Sequence, residues 1–157
     1  MQLRQLDIQR IVELDSLPSD DDFQLWVDKA LADYSQDAEV VIRIVDTEEM
    51  TELNSQYRAK QGTTNILSFP LELPDGVEGI DLLGDLVVCA AVLEQEAKEQ
   101  NKALSAHWAH IIIHGVLHLL GYDHLTDDEA IAMESKEVVL LQELHIDNPY
   151  QEKEVNG

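Results

Sequence analysis

The run His114-Gly115-Val116-Leu117-His118-Leu119-Leu120-Gly121-Tyr122-Asp123-His124 is the most constrained stretch of the chain. It closes a helix predicted over 103–120, with Gly121 as the residue just past the end. Along that helix His107, His110, His114 and His118 are spaced three, four and four, so all four share roughly one face. An i,i+4 pair such as His114 and His118 sets two imidazoles one above the other, able to grip one metal ion. Gly121 stops the helix and lets His124 fold back as a third ligand. Three His ligands with an open fourth position describe a catalytic zinc site, whereas structural sites are usually closed by four residues.

Outward from this helix, the chain reads as strands mixed with helices and then as helices alone. Residues 2–9 alternate loosely as a short strand. After Asp20, the residues Phe23, Trp26, Val27, Ala30, Leu31 and Tyr34 recur at helical spacing, and Asp20, Asp21 and Asp22 suit the positive end of that helix dipole. Residues 39–45 are β-branched and read as a strand. Asp46 with Glu49 predicts a capping box for a helix through about Ala59. Residues 65–71 and 82–89 read as strands, separated by a turn-rich stretch with Pro74, Asp75, Gly76 and Gly79. A helix follows over 90–99, and Thr126 with Glu129 caps a last one to about His145. This order predicts one sheet covered by helices, in one domain spanning 1–157. It leaves open whether 65–71 and 82–89 pair as a hairpin or in parallel.

Composition narrows the function classes. The 157 residues carry 10 Lys+Arg and 32 Asp+Glu, a formal net charge of -22. The 45% hydrophobic content is enough for a core and excludes a disordered acidic chain. Cys89 is the only cysteine, so neither an intrachain disulfide nor a multi-Cys zinc site can form, and its apolar neighbours predict a buried thiol. Arg4, Asp7, Arg10, Glu13 and Asp15 interrupt any signal-peptide core, and no apolar run nears the ~18–20 residues that span a bilayer. The expected setting is soluble, reducing and cytoplasmic. A charge of -22 argues against nucleic acid, because phosphate affinity comes largely from Lys and Arg displacing counterions.

The distribution of charge answers part of that objection. No Asp or Glu occurs between Glu52 and Glu72, nor between Glu99 and Asp123. One gap holds Arg58 and Lys60, the other Lys102, His114 and His118. If the gaps adjoin, a neutral-to-positive cleft is expected on an acidic body. The plain alternative for Arg58 and Lys60 is a cation pair at a helix C-terminus, worth about 0.3–1 kcal/mol.

The His spacing matches the metzincin pattern His-Glu-x-x-His-x-x-Gly-x-x-His in every ligand and in the glycine. It departs at Gly115, where those peptidases carry the Glu that takes a proton from zinc-bound water. Met133 falls inside a predicted helix and makes no Met-turn. The geometry therefore says metal hydrolase, and the chemistry argues against a peptidase. His110 is expected to touch the site or bond its ligands, and His107 to be exposed one or two turns away; neither is read as a ligand. Asp123 either bonds a ligand His from outside or shapes the turn, Tyr122 reads as packing, and Asp85 is a weak candidate acid.

The stretch from His114 to His124 resembles the signature of the bacterial YbeY endoribonuclease family, His-Gly-x-Leu-His-Leu-x-Gly-Tyr-Asp-His. Arg58 and Thr64-Asn65-Ile66-Leu67-Ser68-Phe69-Pro70 match its second motif, with Thr63 where the family usually has Pro, and Leu83-Gly84-Asp85-Leu86 matches its Leu-Gly-Asp strand. The resemblance covers nearly the whole chain. It implies an α+β fold, a small mixed sheet packed with helices, one of which bears the metal. It implies a single-strand-specific, metal-dependent endoribonuclease of the bacterial cytoplasm that matures ribosomal RNA, chiefly the small-subunit 3′ end, and serves ribosome quality control. It implies one zinc ion per chain at His114, His118 and His124 and matches Arg58 to the family's functionally important arginine. His114 and Arg58 are read as catalytic, and Arg58 and Lys60, in their acid-free stretch, as touching the substrate. The implied partners are an rRNA precursor, the small ribosomal subunit and assembly factors; no membrane and no DNA are expected. The competing reading is a non-catalytic, metal-stabilised ribosome-assembly factor.

Overall fold

In the strand β2 (Ala38–Val45), Ala38, Val40, Ile42 and Ile44 are buried toward one core, while Val45 is buried in a second. Alternate residues of a strand point to opposite faces, so this strand is covered on both sides. The computed structural model describes residues 4–34, 36–58, 62–71, 82–122 and 126–149. Around β2 lie β1 (Arg4–Arg10), α1 (Asp20–Ala30), α2 (Thr47–Arg58), β3 (Ile66–Pro70), β4 (Leu82–Cys89), α3 (Ala90–Glu99), α4 (Leu104–Leu119) and α5 (Asp127–Glu143).

The strands form one mixed sheet in the order β1-β2-β4-β3. β1 and β4 run parallel to β2, and β3 pairs antiparallel with β4, so of the two pairings left open for 65–71 and 82–89 the hairpin forms. The α+β arrangement of a small mixed sheet packed with helices is the one expected. One face carries the larger core, in which Val40, Ile42, Ile44, Ile66, Leu86 and Val88 meet α1, α4 and α5. Phe23 on α1 sets its ring edge to face against Trp26 and Trp108, at 5.7 and 5.6 Å between centroids. On the opposite face Val45, Leu67, Val87 and Cys89 pack with Met50 of α2. Cys89 is buried, as its neighbours predict.

The helix ends refine the sequence reading. Ser19, not an aspartate, is the N-cap of α1, in a reciprocal capping box with Asp22. Asp46 Oδ1 accepts from the Glu49 N–H at 2.8 Å, but the Glu49 carboxylate turns to Arg43 in a two-pronged bond of 2.7 and 3.1 Å. Half of that box therefore forms, because a guanidinium fork is a stronger partner than a single N–H. Thr126 caps α5 through the Glu129 N–H. Gly121 has φ 102, the left-handed conformation that ends α4. No described helix is long and apolar enough to cross a membrane. Residues 2–3, Ala59 and the turn-rich stretch 72–81 lie outside the described residues.

Candidate metal centre

α4 places its four histidines as a ladder. Ring centroids are 6.3 Å apart from His107 to His110, 6.3 Å from His110 to His114, and 4.7 Å from His114 to His118. The last two rings are the closest, at 76° to one another, as expected for an i,i+4 pair aimed at a common point. The helix is held at this angle by Gly115, whose Cα faces the sheet. A Cβ there would meet Ile66 Cδ1 at 2.7 Å and Leu86 Cδ2 at 2.9 Å. The position that bears the metzincin glutamate is thus packed on the sheet, where any side chain must displace the Ile66 and Leu86 methyls.

Two carboxylates back the ladder from other helices. Glu137 of α5 is fully buried. Its Oε1 lies 2.6 Å from His114 Nδ1 and 3.5 Å from His110 Nε2. Glu96 of α3 lies 2.9 Å from His107 Nε2 and also accepts from Asn65 Nδ2 at 3.3 Å. His107 is 3% exposed, so the expectation of an exposed residue is corrected: α3, through Glu96, covers this turn of α4. Burial pushes the His107 pKa down, and the Glu96 hydrogen bond and charge only partly offset that. The acid-free stretch of sequence is therefore not an acid-free site, since α3 and α5 bring acids to it. His110 turns its Nε2 to Glu137, 3.5 Å away.

His110, His114 and Glu137 form a group whose ligand atoms lie within 4.8 Å of one another, able to hold a metal ion. It shares His114 with the set expected from the sequence. His118 stands beside it on the ladder, and His124 and Asp123 lie outside the described residues, as does Lys60. The donor set fits a divalent metal: an imidazole can bond a carboxylate through Nδ1 and still offer Nε2, on the opposite edge of the ring, to an ion.

Arg58 is the exposed last residue of α2, on the other layer of the sheet from α4. Both layers meet at the edge strand β3. Tyr57, beside Arg58, sets its ring against Phe69 of β3 at 5.2 Å, while Gly115 of α4 abuts Ile66 from the opposite face. Asp85 is exposed on β4, and Tyr122 is 37% exposed rather than packed away.

Sequence reasoning missed Glu137 and Glu96. A signal for Glu137 was present, because it follows Met133 by four and precedes Leu140 and Leu141 by three and four, on the buried stripe of α5. A charged residue on an apolar stripe needs a partner.

A family model described as Endoribonuclease YbeY matches residues 9–145. A curated protein named Endoribonuclease YbeY, from Colwellia psychrerythraea (strain 34H / ATCC BAA-681), is 54% identical over 152 residues, covering 94% of this chain and 97% of its own. The solution structure of TM1509 from Thermotoga maritima matches with a TM-score of 0.62 at 26% identity, over 90% of this chain and 89% of that one.

Proposed function

The chain belongs to the endoribonuclease YbeY family, and from that premise we propose that it cuts single-stranded RNA by metal-assisted hydrolysis of a phosphodiester. It is a hydrolase and an endonuclease of that class. The observation that carries the mechanistic reading is the His114–His118 ring pair, 4.7 Å apart, with a buried carboxylate fixing one of the two rings. His114, His118 and His124 would hold one zinc ion. A divalent metal there supplies Lewis acidity toward the phosphoryl group and lowers the pKa of the attacking water.

The chain's own groups do the rest. Arg58 pairs with the non-bridging phosphoryl oxygens, where negative charge gathers during cleavage. Lys60 adds charge along the strand. A single strand laid across the edge of β3 meets Arg58 from one layer and the histidines from the other. Tyr57, 58% exposed and braced by Phe69, offers a ring on which an unpaired base can stack. Bases stacked within a duplex cannot use that ring, which supports the preference for single strands. The substrate is an rRNA precursor, cut toward the small-subunit 3′ end in the cytoplasm, with the small subunit and assembly factors as partners.

The test is single-turnover cleavage of a defined rRNA precursor, with metal content measured on the same samples. His114→Ala is expected to lose metal and activity together. Arg58→Glu is expected to keep metal and lose about 10²-fold or more in rate. Full activity in metal-free protein would overturn the mechanism.

A further inference from the structure

We infer that Glu137 is the positioning residue of the metal centre: from α5 it holds His114 in the tautomer and orientation that turn Nε2 toward the ion. The inference deepens the metal reading above and rests on it. Glu137 is fully buried, and its Oε1 sits 2.6 Å from His114 Nδ1. A carboxylate only accepts, so the proton of a neutral His114 resides on Nδ1 and the lone pair on Nε2. Free imidazoles have no such restriction, and a ring on a helix can turn about its side-chain torsions. A short bond to an immovable acceptor removes that freedom before the ion arrives.

The placement of α5 supports this role over a merely structural one. A buried carboxylate is destabilising unless paired and hydrogen-bonded, and a leucine at this position would extend the stripe of Met133, Leu140 and Leu141. Its neighbour Lys136 reaches Asp33 in the turn after α1, and Glu143 pairs with Lys29 of α1 at 3.3 Å, so α5 is tied to α1 and its following turn on either side of Glu137. Glu137 Oε1 also lies 3.5 Å from His110 Nε2, so the same oxygen faces a second imidazole. Glu137 is thus committed to two rings, and the ion is left to the outer edge of His114.

The experiment has two parts. In the unchanged metal-free chain, long-range ¹⁵N–¹H correlation of the imidazoles reads the tautomer; His114 is expected with its proton on Nδ1, and a proton on Nε2 overturns the inference. In Glu137→Gln and Glu137→Met, zinc affinity is measured against a chromogenic chelator, beside thermal unfolding of the metal-free forms. Glu137→Met is expected to weaken zinc about 10–100-fold, and Glu137→Gln, which keeps an acceptor oxygen, to recover part of that loss. Zinc affinity within twofold of the unchanged chain in both folded variants overturns the inference. So does a visible spectrum of the cobalt-loaded Glu137→Gln chain that reports a lost ligand, since Glu137 would then bind the ion directly. Failure of the metal reading looks different: the unchanged chain would bind no zinc, or His114→Ala would bind it equally well.

Discussion

His107 shows how a residue's role depends on its neighbours rather than its type. It shares a helix face with His114, but Glu96, itself held by Asn65, claims it, and it is buried. Burial lowers its pKa below the ordinary 6.5 despite the Glu96 carboxylate. The unfolded chain therefore binds a proton at this residue more readily than the folded chain does. Stability from this group is full above about pH 6.5 and drains as pH falls below it toward the folded value. In metal-free protein the urea midpoint is expected to drop between pH 7.5 and 5.5, and to drop less in His107→Gln. Equal drops in the two chains would remove His107 from the acid response. Gly115 makes the complementary point. Its neighbours Ile66 and Leu86 crowd the place where a general-base glutamate would stand, so a side chain there must displace their methyls, a fact that the His spacing alone could not convey. Of the site, the ladder was legible because helical periodicity is local. Glu137 was legible only as a charge on an apolar stripe and its partner was not, because it meets His114 from 23 residues away.

Among the elements, the strands and helices were legible from β-branched runs, capping residues and apolar spacing, to within a residue or two of their bounds, except that α1 ends at Ala30 where the apolar spacing ran on to Tyr34. Their pairing was not, because register is a long-range property. The β3–β4 hairpin illustrates what settles it. Gly84 has φ 151, and a Cβ there would lie 2.3 Å from Phe69 O and 2.9 Å from Pro70 Cα. Both are main-chain atoms of the paired strand and cannot swing away as a side chain would. Leu119 Cδ2, in the last turn of α4, is 2.9 Å from the same point. Gly84 thus lets the hairpin close and lets the metal-bearing helix settle on it. Gly84→Ala is expected to cost about 3 kcal/mol or more in urea unfolding, and to weaken metal binding through the displaced last turn beside His118. A loss under about 1 kcal/mol would mean that β3 can shift without consequence.

At the scale of the whole molecule, a charge of -22 must be reconciled with an RNA substrate. The histidine face gains Glu137 and Glu96 from neighbouring helices, yet Glu137 is fully buried and paired, so it presents no carboxylate to an approaching strand. Arg58, exposed at the end of α2, faces solvent on a stretch without acids. Attraction is local and repulsion is global, and the two differ in range. The Debye length is about 30 Å at 0.01 M salt and about 8 Å at 0.15 M, so added salt screens the distant acids before it screens a phosphate in contact with Arg58. Cleavage of a short, free single-stranded RNA at fixed metal concentration should therefore speed up, about threefold or more in kcat/KM, between 10 and 150 mM salt. A basic nuclease would show the reverse, because salt competes with its phosphate contacts. The same strand presented on a pre-ribosomal particle should respond little, since the particle rather than diffusion brings it to β3. A steep fall with salt on the free RNA would mean that a basic surface, not positioning by a partner, delivers the substrate.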